Sequence, residues 1–160
     1  MQMRAVLILG FLVFAIGDDI LGQADSTCTY DTCALRMKQR FLSRQLVRGI
    51  QQEKVTGLGL LAPDLSRLVN PDGSPNPHLA AYKGHADKGA LGFTLALAAL
   101  TIGTLVYDNN ETVAVTLAVS SLGFGAFAIV HSLRAQEDLS RGVWLYNSKL
   151  AGSQPSTFRQ

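Results

Sequence analysis

Few side chains in this sequence belong to the types that do chemistry near neutral pH, and their spacing argues against catalysis. The three histidines are His78, His85 and His131. His78 and His85 lie seven apart, on one face of a helix, with Asp87 nearby. That begins a metal-binding pattern but lacks a third ligand at matched spacing, so no metal is expected. His131 falls near the end of an apolar stretch, where a lone imidazole is the only candidate axial ligand for a haem or pigment. Ser66, Ser120 and Ser121 have no partnered His and acid, and no carboxylate pair falls in a pocket-forming region. The expectation is a non-enzyme without cofactor or small-molecule substrate. A net charge of +2, from 14 basic and 12 acidic residues, is too small and too scattered for nucleic acid.

Cys28 and Cys33 are the only cysteines. Their spacing fits neither a CxxC redox pair nor a CxxCH haem attachment, and two thiols without a nearby His make a poor zinc site. In an exported chain, an even pair this close reads as a disulfide-closed loop. Export is what the N-terminus suggests. Arg4 supplies a positive start, Ala5 to Gly17 is unbroken apolar sequence, and Gly22-Gln23-Ala24 offers a small-residue cleavage site. Thirteen helical residues rise only ~20 Å, short of a ~30 Å hydrocarbon core, which favours a signal over a span. Asp18-Asp19, between the apolar run and the cleavage site, leaves an uncleaved signal-anchor as the alternative.

The one notable charge run follows. Arg36, Lys38, Arg40, Arg44 and Arg48 fall within thirteen residues that hold no acid. Residues 40, 44 and 48 would share a helical stripe, whereas 36, 38 and 40 would share one face of a strand. Gly49, Gly57 and Gly59, with β-branched Val47, Ile50 and Val55, favour strands. The expectation is a short antiparallel element from Ala34–Lys38 and Leu46–Leu60. The plain meaning of the charges is a solvated face; the functional one is contact with anionic lipid headgroups, worth about 1 kcal/mol per basic residue. Asn70-Pro-Asp-Gly-Ser-Pro-Asn-Pro77 is turn and extended chain, a linker to a helix that resumes at His78.

Residues 89–107 and 112–133 contain no charged side chain and are separated only by Asp108–Glu111. Each is long enough to cross a bilayer, and so short a turn requires antiparallel helices. Small residues mark their contact: Gly89, Gly92, Ala96, Ala99 and Gly103 on the first, and Ala114, Ala118, Ser121, Gly125, Ala128 and Ser132 on the second. Between helices in lipid, close backbone approach replaces the hydrophobic effect, and small residues permit it. The rest of the chain is too small to cover two helices that are apolar all round. Beyond them, Leu139, Val143, Tyr146 and Leu150 fall on one face of an amphipathic helix, with Trp144 and Tyr146 as an aromatic interface anchor.

Cys-Thr-Tyr-Asp-Thr-Cys-Ala-Leu-Arg at 28–36, Leu-Val-Arg-Gly at 46–49 and Leu-Ser-Arg-Gly-Val-Trp-Leu-Tyr-Asn at 139–147 resemble a set of small bacterial envelope proteins of the same layout. The resemblance implies no activity. The expected fold is mainly α: a membrane-spanning antiparallel hairpin (89–133) with a signal (1–24), a small basic disulfide-bearing head (25–69), a linker and juxtamembrane helix (70–88) and an amphipathic helix and tail (134–160). Export places the head and C-terminal helix on the periplasmic side of the inner membrane. Lys83, Lys88, Arg134, Arg141 and Lys149 flank that same side, which the positive-inside rule would put in the cytoplasm. The expected role is an accessory or structural subunit whose partners are the bilayer and other membrane proteins. The alternatives are a lipid- or envelope-polymer-binding module and a haem- or pigment-associated subunit of a bioenergetic complex.

Overall fold

A computed structural model describes residues 28–40, 43–58 and 62–153; the expected signal, 1–24, and the tail past 153 lie outside the described residues. A single helical turn, α1 (Tyr30–Cys33), leads into β1 (Leu35–Arg40), β2 (Ser43–Arg48) and β3 (Glu53–Leu58), followed by two long helices, α2 (Pro77–Val106) and α3 (Glu111–Gly152). The strands form an antiparallel meander in the order β1-β2-β3, with Leu35 opposite Arg48 and Leu46 opposite Thr56.

The expected second strand, Leu46–Leu60, is therefore two strands. The chain turns back between them, with Gly49 at φ +65° and Gln52 at φ +56°. Gly49 is required twice over there, because a Cβ would also strike the Thr32 carbonyl oxygen. Its N–H donates to the Ala34 carbonyl (2.9 Å), and that of Ile50 to the Asp31 carbonyl (2.8 Å), tying the turn beneath α1. A disulfide joins Cys28, just before α1, to Cys33 at its end.

Both long helices begin at an asparagine. Asn76 accepts the Leu79 N–H (3.2 Å) ahead of Pro77, and Asn110 accepts the Val113 N–H (3.1 Å). The helices run antiparallel in contact and are long and apolar enough to cross a membrane. From 89 onward on α2 and up to 135 on α3 their buried residues are small: Gly89, Gly92, Ala99 and Gly103 on α2, and Ala114, Ser121, Ala128 and Ala135 on α3, with Gly142 next at the same spacing. The α3 set recurs every seven residues, the repeat that keeps one seam facing a neighbour along a left-handed supercoil. Ala96 is half-buried, while Ala118, Gly125 and Ser132 lie on the rim. An alternating three-four stripe on α3 holds two ridges: that of Ala114, Ser121, Ala128 and Ala135 is buried, and the other meets α2 at its edge, where Ser132 lies beside Gly89.

The expected separate amphipathic helix from 134 is the uninterrupted continuation of α3, since 132–141 contains no Gly or Pro to end it. Its face of Leu139, Val143, Tyr146 and Leu150 packs against Leu35, Leu46, Val55 and Leu58 of the sheet and Leu79 and Tyr82 of α2, forming the core of the head. Tyr146 is 4% exposed, so it is a core residue and not an anchor; Trp144, two positions earlier and across the helix, is 70% exposed.

The 70–77 segment is likewise packed. Asn70 and Asn76 are each 1% exposed. Asn76 Nδ2 donates to Asn70 Oδ1 (3.0 Å) and to the Gly142 carbonyl (2.8 Å), while Asn70 Nδ2 reaches Ser74 Oγ and the Pro75 carbonyl. Buried amides with every partner met fix a single arrangement, which here joins the linker to α3.

Gly92→Leu is expected to destabilise the helix pair by about 1–3 kcal/mol, because a Cβ there meets Phe127 Cδ1 at 2.8 Å and the Ala128 Cβ at 3.1 Å. Gly125→Leu, with open space at its Cβ, is expected to be tolerated. Thermal unfolding of both variants in mild detergent ranks them; equal melting temperatures would show that the wrong seam has been identified.

Candidate functional site

The outer surface of the α2–α3 pair is apolar. Leu91, Leu97, Leu105, Leu122, Ile129 and Leu133 all stand more than half exposed, while the glycines and alanines beneath them are buried. Soluble helix pairs bury their large apolar side chains and expose small and polar ones. This pair does the reverse. Its threonines and serines turn inward on their own backbone: Thr94, Thr101, Thr116 and Ser120 each donate to the carbonyl four residues earlier, at 2.8–2.9 Å.

Where the head meets the pair, the histidines gather. His85 Nδ1 donates to Asp138 Oδ2 at 2.7 Å, and His78 Nδ1 lies 3.5 Å from Asp138 Oδ1. Asp87, the acid nearest in sequence, pairs instead with Lys83 at 2.8 Å. Asp138 was invisible as a partner because it sits on the other helix, 53 residues on from His85. His131 packs its ring 4.3 Å from Phe127 and 5.7 Å from His85. Among the described residues, no group of three His, Cys, Asp or Glu side chains is arranged to hold a metal. The histidines thus join α2 to α3 through a carboxylate and through ring contacts.

Two further ties hold α3 to the head. The Asn147 amide pairs with both backbone groups of Leu35, accepting its N–H (2.8 Å) and donating to its carbonyl (2.9 Å), as a neighbouring strand would. Lys149 Nζ donates to Asp72 Oδ2 (2.7 Å) and Ser74 Oγ (2.6 Å). That ammonium, helped by the hydroxyl and amide of Ser74, holds the Asp72 carboxyl well below the usual carboxylate range.

The register divides the basic run between two faces. Arg36 and Lys38 share one face of β1, while Arg44 and Arg48 lie on the opposite one, with Gln39 and Leu35 across from them. Five charges near in sequence therefore do not make one patch. Arg48 has its Nε buried without a hydrogen-bond partner among the described residues. Arg44 lines a groove of about 250 Å³ between the β1–β2 end and α3, with Met37, Gln39, Gln136, Leu139 and Ser140, whereas the Lys38 ammonium donates to Gln52 Oε1 beside the β2–β3 turn, at the other end of the sheet.

Compared with protein-family models, curated proteins and solved structures, the chain matches none. Its function is therefore argued from its own geometry.

Burial raises the phenols of Tyr82 and Tyr146 above the ordinary value of about 10, outweighing the nearby cations Arg44 and Arg48, which pull the other way. The folded head holds those protons more tightly than the unfolded chain does. Its stability from this source is complete below pH ~10 and is lost as pH climbs through the folded values. Alkaline titration followed by phenolate absorbance should show a delayed step that Tyr82→Phe reduces and Tyr146→Phe reduces again. Tyr146→Ala is expected to cost the head about 3 kcal/mol, against under ~0.5 for Trp144→Ala. Equal costs in a denaturant titration would refute the burial of Tyr146.

Proposed function

We propose that this chain is a non-catalytic integral membrane protein of the bacterial envelope, held in the bilayer by α2 and α3, and that it serves as an accessory subunit of a larger membrane assembly. The observation that carries the first part is the inverted burial of the helix pair: large apolar side chains outward, small ones inward. From Val113 to Leu133 the apolar belt rises about 30 Å, the thickness of a hydrocarbon core. Lys88 and Arg134 border it at one end and Asp108 and Glu111 at the other, so the charged residues lie where headgroups would be.

The Cys28–Cys33 disulfide and the export-type N-terminus support placing the head outside the cytoplasm, although the basic residues around the head run against the positive-inside rule. The accessory role rests on Trp144. It stands about 16 Å along α3 from Leu133, beyond the ~5–7 Å headgroup layer even if the helix is tilted. An indole exposed at that height faces water or a protein, and exposed aromatics of this kind concentrate binding energy at protein interfaces.

Two measurements test this reading. The protein should remain with vesicles after alkaline carbonate extraction, and release into the supernatant would refute the membrane anchor. In mild detergent from native membranes it should migrate within a larger species, and Trp144→Ala should free it. An unchanged complex in that variant would put the partner elsewhere, and a monodisperse parent monomer would favour the lipid-binding alternative.

A further inference from the structure

We propose that β1 is an open sheet edge that takes up one extended segment of a partner protein, acidic on alternate residues and apolar on those between. The inference rests on the accessory-subunit reading above and adds the place of contact and the kind of segment that fits it.

The edge is read from the hydrogen-bond phase of the sheet. β1 is an outer strand, and Asn147 holds both backbone groups of Leu35, so Leu35 points its N–H and C=O away from β2. In an antiparallel pair that direction alternates along the strand. Met37 and Gln39 therefore point outward as Leu35 does, while Arg36 and Lys38 bond to β2. Among the described residues the outward groups of Met37 and Gln39 have no partner. Asn147 thus stands in for a neighbouring strand at the first rung and leaves the next two open. The groove of about 250 Å³ runs along this stretch, with Met37 and Gln39 on one side and Gln136, Leu139 and Ser140 of α3 on the other. Strand addition to such an edge draws its affinity from main-chain hydrogen bonds and its specificity from alternate side chains.

Trp144 flanks the same place. Ser140 and Asn147, seven apart on one side of α3, line the groove and grip β1 respectively, and Trp144 falls between them on that side. A strand laid against Met37 and Gln39 passes beside this indole, which is 70% exposed.

The side chains of an added strand alternate between two environments. On the groove side they meet Met37 and Leu139, which suit small apolar residues. On the outer side they stand opposite Arg36 and Lys38, with Lys54 further across the same face. None of these three cations has a carboxylate partner among the described residues; Lys38 donates to the neutral Gln52 Oε1. Opposite charges facing each other across a strand pair stabilise it and like charges weaken it. This face therefore favours acidic residues and disfavours a second copy of β1.

The test uses the full chain in phosphatidylcholine nanodiscs and the emission of Trp144, its only tryptophan. The probes are acetyl-Glu-Val-Glu-Val-Glu-Val-amide, its lysine-for-glutamate counterpart, and the glutamate peptide methylated at the valine nitrogens. The glutamate peptide should give a saturable blue shift and bind about tenfold more tightly than the lysine peptide. The methylated peptide should give none, since its valines, opposite Met37 and Gln39, can no longer donate to β1. Met37→Pro removes an outward N–H while sparing the bonds to β2, and should abolish the shift. Arg36→Glu with Lys38→Glu should reverse the preference between the two charged peptides, a gain that a misfolded variant would not show. Equal shifts from both charged peptides, an effective methylated peptide, or no saturable shift at millimolar peptide would overturn the proposal. So would a dimer of the purified chain that Met37→Pro dissociates, which would make the occupant a second copy. Migration from native membranes reads the subunit assignment separately. A larger species that survives Met37→Pro but not Trp144→Ala refutes the edge alone, whereas a monomeric parent refutes the subunit reading.

Discussion

The distance between the backbones of α2 and α3 is the constraint from which the rest of the structure follows. At Gly89 an added Cβ would come within 2.7 Å of Ser132 Oγ, and at Gly103 within 3.3 Å of the Ala114 carbonyl oxygen. Two helices can approach that closely only where side chains are nearly absent, and the approach is what excludes large residues from the seam. Leu, Phe and Val are left to the outside, and the outside is then fit for lipid. In such an environment the pair is held by dispersion between close backbones, individually weak contacts that accumulate over many turns. The polar ends at Asp108–Glu111 and at the histidine–carboxylate junction close off the belt.

The same seam continues upward as something different. Past Ala135 the α3 residues on this face become Leu139, Val143, Tyr146 and Leu150, large enough to serve as the core for a sheet. One helix thus has a small-residue surface for a partner helix and, about one turn later, a large-residue surface for the head. Gly142 marks the change of partner: an added Cβ would collide with Leu79, and its carbonyl accepts from Asn76. Because α3 is unbroken and the head is tied to it at Leu35, Asp72 and Asn76, head and helix pair are mechanically one unit. A partner bound at Trp144 in the proposed assembly would act on a rigid body.

Much of this was legible from residue types. The two uncharged stretches, the four-residue turn and the small-residue seam each follow from short-range rules, and Gly89, Gly92, Ala99, Ser121 and Ala128 are buried in the two helices. The strands were legible as strands, but not their number, because the left-handed conformation of Gln52 carries no strong sequence mark. Tyr146 illustrates the main limit. An amphipathic face beside a hydrophobic stretch reads equally as a membrane-surface helix or as the cover of a core, and only the position of β1 decides between them. Asp138 illustrates the other: partners 53 residues apart are set by the register of two helices, which no local pattern encodes.

The central claim is that the exposed apolar belt faces lipid. Nitroxide labels placed one at a time at Leu97, Leu122, Asn109 and Trp144 in protein reconstituted into bilayers would test it most directly, through their collision rates with oxygen and with a water-soluble nickel complex. Leu97 and Leu122 should be relaxed strongly by oxygen and scarcely by nickel, while Asn109 and Trp144 should show the reverse. Nickel access at Leu122 equal to that at Trp144 would contradict the account.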